Sequence, residues 1–382
     1  MKLQRNFLMI VLLSAVAALA ACNTGADADG KDDIVIGEYG SLTGTSATFG
    51  ISTKNGIEMA VDEINKAGGL LGKKVRVVVE DDQGRPEEAQ TVVTKLITKD
   101  RVIAVLGEVA SSRSLAAAPV AQTNGIPMIS PSSTNPAVTK TGDYIFRVCF
   151  IDPFQGFVMA KFATGTLKLK NFAILRDIKN DYSVGLADVF TENIKKMGGE
   201  IVEDASYSEG DTDFSAQLTR IKSKNPQAIF VPGYYSEVGL IARQAKEQGL
   251  KIPMLGGDGW DSSKLIEIGG ASLDGSYFSN HYSPDDPNPA IQKLITEYKA
   301  RYNEVPDALA GLGYDSANVL FDAIRRANSL DPMKIRDALA GTRDFNGVTG
   351  KITIDEDRNA VKPAVVMKIE GGKYQYVETV NP

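Results

Sequence analysis

From Ile34 onward, short and nearly continuous apolar runs alternate with longer segments whose apolar residues recur every three or four positions. The short runs predict strands at Ile34–Gly37, Val75–Glu80, Ile103–Leu106 and Met128–Ser130. A second series follows at Phe172–Leu175, Glu200–Asp204, Ala228–Val231 and Met254–Gly256. Between them, Asn55–Asn65 sets Ile57, Met59, Ala60, Val61 and Ile64 on one helical face. Pro86 is suited to the first position of the next helix, and Glu87 and Glu88 to its positive end. Phe214, Leu218 and Ile221 form a further stripe, as do Leu240, Ile241 and Ala245. Strands that are apolar throughout are covered on both faces, and strand–helix alternation makes their sheets parallel. A helical stretch from Pro289 to Ala340 and two late strands, Lys351–Ile354 and Ala364–Ile369, complete the pattern. So many strands exceed a comfortable single sheet, so the expected fold is α/β with two lobes. No sequence repeat of fixed period relates the two series.

The first residues have a different pattern. Lys2 and Arg5 precede the apolar run Phe7–Leu13, which continues through small residues to Leu19-Ala20-Ala21-Cys22. A basic start, a short apolar core and a small-residue cleavage site make an export signal over residues 1–21. The tetrad resembles the bacterial lipobox, which implies that Cys22 is lipidated and heads the mature chain. Residues 22–33 are polar and rich in Gly and Asp, as in a flexible tether. The expectation is an exported protein, lipid-anchored at a periplasmic or extracellular membrane face.

Loss of residues 1–21 leaves 40 basic and 48 acidic side chains, a net charge of −8 that disfavours nucleic acid as a partner. With Cys22 lipidated, Cys149 has no partner for a disulfide, and its apolar surroundings Ile145–Phe150 predict a buried, inert thiol. His281 is the single histidine. One histidine and no cysteine cluster give no basis for a metal site, a cofactor or a Ser-His or Cys-His nucleophile.

Open parallel sheets bind ligands at the carboxyl ends of their strands. After Ile103–Leu106 comes Gly107–Ser112, whose Ser111 and Ser112 open a helix and suit either capping or an anion. After Met128–Ser130 comes Pro131-Ser132-Ser133-Thr134-Asn135-Pro136, a second hydroxyl-rich loop on the adjacent strand. Together the two loops form a candidate carboxylate cradle. In the second series, Val231-Pro232-Gly233-Tyr234-Tyr235 ends one strand and Gly256-Gly257-Asp258-Gly259-Trp260 the next. Asp258 is placed either to meet a cation or to close an Asx turn. Phe49, Tyr182 and Trp260 are candidate apolar walls, with ordinary packing as the other reading.

Several motifs fail. Gly68–Lys74 lacks the Ser or Thr of a phosphate loop and suits a helix end and turn. Neither G-x-G-x-x-G nor G-x-S-x-G occurs where it is needed. Asp81 and Asp82 are expected to form a turn with a local ion pair to Arg85.

These residues carry a resemblance. Gly40-Ser41-Leu42-Thr43-Gly44, the helix Asn55–Asn65 followed by Ala67-Gly68-Gly69, Glu80-Asp81-Asp82, Ile129–Pro136 and Gly233-Tyr234-Tyr235 are similar to the Leu/Ile/Val-binding proteins of ABC transporters. The likeness runs from Ile34 to about Lys373. It implies the type I periplasmic-binding fold: two Rossmann-like lobes joined by a three-strand hinge, with the ligand cleft between them. The lobes would comprise residues 34–152 with 282–357, and 153–281 with 358–382.

The resemblance also implies roles. Ser111 and the Ser133/Thr134 loop, with Ser132 a further ligand-binding residue beside it, would hold an α-carboxylate and part of the ammonium. Asp258 would neutralise the ammonium, Tyr182 and Tyr234 would line the second lobe, and Phe49 would meet the side chain. Trp260 is added as a cleft residue. The disulfide that pairs two cysteines in relatives is absent, since Gly84 and Ala110 stand there. The expected function is that of a monomeric, non-enzymatic binding protein that captures an apolar amino acid and delivers it to a permease. Two alternatives are a sensor of amides, urea or aromatic acids that acts on a membrane signalling partner, and an exported α/β hydrolase, for which His281 is a poor base.

Overall fold

The computed structural model describes residues 33–382, so the export signal, Cys22 and all but the last residue of the tether lie outside the described residues. The first sheet is wholly parallel, in the order Val75–Asp81, Ile34–Gly40, Val105–Leu106, Met128–Ser130, Ile145–Arg147. The second has seven strands. Five are parallel, in the order Glu200–Tyr207, Asn171–Asp177, Ala228–Phe230, Met254–Gly256, Ser276–Asn280. Ala364–Glu370 and Lys373–Val380 extend that sheet antiparallel. Numbered by their appearance in the chain, both five-strand sets run 2-1-3-4-5. The same topology is built twice without a repeat in sequence. A doubly wound sheet of this order has its switch point beside its first strand, where ligands bind.

The expected strands appear, most of them extended or trimmed by one to three residues. Ile145–Arg147 falls in the apolar run around Cys149, and four further strands escaped the apolar-run reading. Ser276–Asn280 is central, but its two aromatics, Tyr277 and Phe278, are flanked by Ser276, Ser279 and Asn280, and Lys373–Val380 is a half-exposed edge. Phe345–Gly347 and Ala360–Val361 flank Gly350–Ile354 in a small antiparallel sheet. Through Ala360–Val361, the segment expected to begin the last part of the second lobe still pairs with a strand of the first.

Three connections cross between the two sheets. The chain leaves the first sheet after Arg147 and enters the helix Asp152–Lys161, which packs on the second. It returns after Asn280 to the helices Pro289–Tyr302 and Ala308–Ala327, and crosses again between Ala360–Val361 and Ala364. Ala308–Ala327 lies along Ala47–Lys66 of the first lobe. Cys149 is buried in the first connection, where burial pushes its thiol up to about 12.

Asp81 and Asp82 do form a turn, but without the expected ion pair. Asp81 accepts from the backbone N–H of Leu42 at 3.0 Å and of Gln83 at 2.8 Å, and Asp82 accepts from the Ser41 hydroxyl at 3.0 Å and from Gly84 N–H at 2.9 Å. Arg85 precedes the helix Pro86–Thr98 and bonds Glu88 one turn on, at 2.7 Å.

Candidate functional site

The carboxyl ends of the two parallel sheets face each other, and between them is about 230 Å3 of space unfilled by protein atoms. Most of that space lies against the walls or opens to solvent; the part that a water centre can occupy is about 10 Å3, room for about one water, so the lobes sit closed on each other. Phe49 and Ser132 line it from the first lobe, and Tyr182, Tyr234 and Asp258 from the second. These are five of the nine residues singled out from sequence, and all are buried.

The aromatic walls are built by mutual packing. Tyr182 and Tyr234 stack nearly parallel, with centroids 5.4 Å apart and planes at 15°. Phe49, in the first turn of Ala47–Lys66, meets Tyr234 edge-on at 5.3 Å and Tyr235 at 5.0 Å. This cross-lobe cluster fixes four rings at once.

Asp258 supplies the charge. It opens the 3₁₀ turn Asp258–Trp260, after the strand Met254–Gly256, and is 5% exposed. Its Oδ2 accepts from the Ser132 hydroxyl of the opposite lobe at 3.2 Å, and His281 Nε2 is 3.0 Å from the same oxygen. Its Oδ1 is buried without a partner. A buried carboxylate oxygen left unpaired is costly, and a cationic donor in the cavity relieves that cost. The flanking glycines are there for space. A Cβ on Gly257 would fall 2.4 Å from the Tyr182 hydroxyl, and one on Gly259 2.8 Å from the Tyr234 ring.

The hydroxyl loops divide their work. Ser133 donates to the backbone carbonyls of Glu108 at 2.9 Å and Val109 at 3.0 Å, so its hydroxyl ties one loop to the other and turns from the cavity. Ser111 does not cap its helix, Ser111–Thr123, whose cap position is Ala110; its hydroxyl accepts from Asn135 N–H at 3.2 Å. Thr134 Oγ1 is buried without a partner. Neither Ser111 nor Thr134 is a wall of the described cavity. Buried Arg147 braces the second loop from behind, donating to the carbonyls of Ser133 and Asn135.

Trp260 departs from expectation. Two residues past Asp258 in the same turn, its side chain points into the second lobe, its indole N–H donates to Val231 carbonyl at 3.0 Å, and it is fully buried against Phe278. It is a core residue of that lobe. Conversely, Val109, Gly259 and Leu309 line the cavity without having been singled out individually. Val109 and Gly259 belong to the strand-end loops already identified. Leu309 starts the helix Ala308–Ala327, and no strand-end rule reaches it. His281 was set aside as a weak catalytic base, yet it lies against the cavity's carboxylate. Among the described residues, no group of three or more His, Cys, Asp or Glu side chains converges as a metal site.

The profile of the periplasmic binding protein family matches residues 33–373. The chain is 34% identical over 365 residues to the Leu/Ile/Val-binding protein homolog 3 of Brucella melitensis, covering 95% of this chain and 98% of the relative. A leucine binding protein, LivK, of Thermotoga maritima superposes with a TM-score of 0.88 at 42% identity, over 91% of this chain and 99% of that one. The branched-chain amino acid transporter substrate binding protein LivJ of Streptococcus pneumoniae, solved in complex with isoleucine, gives 0.87 at 38% identity, over 92% and 100%.

Proposed function

Because this chain belongs to the Leu/Ile/Val-binding members of the periplasmic binding protein family, which bind rather than catalyse, we propose that it captures a branched-chain or similarly apolar α-amino acid between its lobes. In this reading it is exported, tethered by a lipid on Cys22, and hands its ligand to the permease of an ABC transporter. The proposed lobes follow those expected from sequence, 34–152 with 282–357 and 153–281 with 358–382, except that Ala360–Val361, paired with Gly350–Ile354, goes with the first.

The observation that carries the reading is Asp258 Oδ1, a buried and unpaired carboxylate oxygen beside an aromatic-walled cavity between the lobes. The ligand's ammonium would meet it. The carboxylate would lie toward Thr134 and Ser111, with Ser133 holding that loop in shape and Ser132 bonded to Asp258, and the apolar side chain against Phe49, Tyr182, Tyr234 and Leu309. No Arg or Lys lines the cavity, which argues against a second acidic group on the ligand. An aromatic acid or other anion without an ammonium would leave Asp258 unanswered. A zwitterion that touches both lobes favours the closed arrangement over an open one, as a ligand must if it is to drive closure.

The test is a thermal-shift screen of residues 30–382 against the twenty amino acids, urea, short amides and sugars, followed by calorimetry. Leucine, isoleucine or valine should raise the melting temperature by several degrees and bind one to one. Asp258→Ala should lose about 3–5 kcal/mol of binding by leaving the ammonium buried and unpaired. The reading fails if no amino acid shifts the transition, or if Asp258→Ala binds as tightly as the parent.

A further inference from the structure

His281 lies just past the strand Ser276–Asn280, on a connection between the lobes, and its side chain is fully buried. Its ring is held in place from one face: Phe150, on another lobe connection, stacks on it with centroids 3.9 Å apart and planes at 22°. Nε2 points at Asp258 Oδ2, 3.0 Å away, while Nδ1 has no hydrogen-bond partner. A carboxylate oxygen only accepts, so the proton between the two groups belongs to Nε2. Burial lowers the imidazole's pKa, with the Asp258 hydrogen bond opposing and the Lys362 ammonium adding to the shift. The ring is therefore neutral at pH 7 and donates through Nε2, with Nδ1 the bare nitrogen.

We propose that His281 is a positioning residue for ligand capture: with Ser132 it holds Asp258 Oδ2 and so presents Oδ1 to the ligand's ammonium. The proposal rests on the assignment of Asp258 as the ammonium partner. Two donors converge on one carboxylate oxygen, from a hydroxyl on the opposite lobe and from a ring clamped by Phe150, which leaves the other oxygen free and aimed. A neutral donor suits the task. An imidazolium here would itself neutralise Asp258 and compete with the ligand's charge, whereas a neutral N–H orients the carboxylate and leaves its charge available. The other ionisable groups around this spot include Asp152, whose pKa burial raises to about 7 with Asp258 adding to the rise, Lys362, which burial lowers to about 8, and the Cys149 thiol. They also include Asp261, which burial raises with Asp258 adding, and the Tyr182 hydroxyl, which burial holds well above its usual value.

The experiment compares parent, His281→Gln and His281→Leu as tag-free, full-length folded chains, each titrated with leucine by calorimetry. Gln keeps an N–H donor at a similar reach and should bind within about threefold of the parent; Leu removes the donor and should weaken binding at least tenfold. Equal loss in both variants, or none in either, overturns the proposal while leaving the function intact. A parent that binds no amino acid overturns the functional reading and this proposal with it. If His281→Leu does not fold, the parent decides, because the chain has one histidine and therefore one imidazole signal. Long-range 1H–15N spectra should show the Nε2–H tautomer at pH 7, with the Nε2 resonance moving when leucine is added. An Nδ1–H tautomer, or a resonance that leucine leaves unmoved, overturns it.

Discussion

Asp258 and Glu38 are both buried carboxyl side chains, and their surroundings treat them differently. Asp258 receives two side-chain donors, whereas Glu38, in the strand Ile34–Gly40 and 2% exposed, leaves Oε2 without any partner. Burial raises the Glu38 pKa from 4.5 to about 8, against the opposing charge of Lys54. The folded protein therefore binds a proton there that the unfolded chain releases above 4.5. The resulting stability is complete below that value and is lost as pH rises through about 8. Glu38→Gln mimics the protonated form and should lack this loss. Melting temperatures of parent and variant should be similar near pH 4.5 and separate toward pH 8.5, with the variant higher; parallel curves would show that Glu38 is ionised in the fold. His281 has the opposite sign, since a lowered pKa costs stability as pH falls below 6.5, and it cancels in the comparison. Sequence legibility at this scale followed the strand ends. Ser132, Tyr234 and Asp258 were found because each follows a parallel strand. Trp260 was misplaced because one tight turn sends neighbouring side chains to opposite sides, and no apolar pattern records which. His281 and Leu309 owe their roles to residues more than twenty positions away, and local reasoning has no access to such partners.

The helices and parallel strands were largely legible, because a strand covered on both faces leaves a run of apolar residues and a surface helix leaves a stripe. How the elements meet was less so. Ala47–Lys66 and Ala308–Ala327 pack so closely that a Cβ on Gly56 would lie 1.9 Å from the Ala310 carbonyl oxygen, and one on Gly313 2.4 Å from that of Thr53. Both contacts are backbone, which cannot rotate away. The two glycines are what let the later helix dock on the first lobe, although some 250 residues separate the two helices in the chain. The same docking brings Leu309 to the cavity wall. Gly313→Ala should therefore force the helices apart and cost about 1–3 kcal/mol, typical of overpacking. Ala has the higher helix propensity, so the expected sign is opposite to that for an exposed helical glycine. Denaturant unfolding would read the difference, and an unchanged or raised midpoint would show that the helices yield without cost. Ligand affinity should fall as well, because Leu309 moves with its helix.

At the scale of the whole molecule, the lobes are joined across the cleft by more than the ligand site. Ser112 Oγ accepts from Asp181 N–H at 2.9 Å, Asn135 donates to Asp181 carbonyl at 2.9 Å, and Ser236 donates to Thr45 carbonyl at 2.7 Å. Among the described residues, one Arg–Glu ion pair joins them. Glu209 of the second lobe bonds Arg113 at 3.1 Å and Thr45 at 3.3 Å in the first. Arg113 is buried and also faces Glu108 at 3.9 Å, so its charge is compensated within the first lobe whether or not Glu209 is present. Glu209, about a third exposed, has no such second cation among its contacts and gains an ion pair only when the lobes meet. The pair therefore adds to closure without touching the ligand, and its worth is bounded by its partial exposure to roughly 1 kcal/mol. Glu209→Gln keeps the shape and the polar reach of the side chain but removes the charge. It should weaken ligand binding about fivefold, chiefly by faster release, and leave the melting temperature of the ligand-free protein unchanged. Salt gives an independent check. Affinity in the parent should fall more steeply between 0.01 and 1 M ionic strength than in the variant, since screening lengths shrink from about 30 Å to about 3 Å over that range. Equal affinities at low salt would show that closure draws nothing from this pair and depends on the neutral hydrogen bonds and the ligand alone.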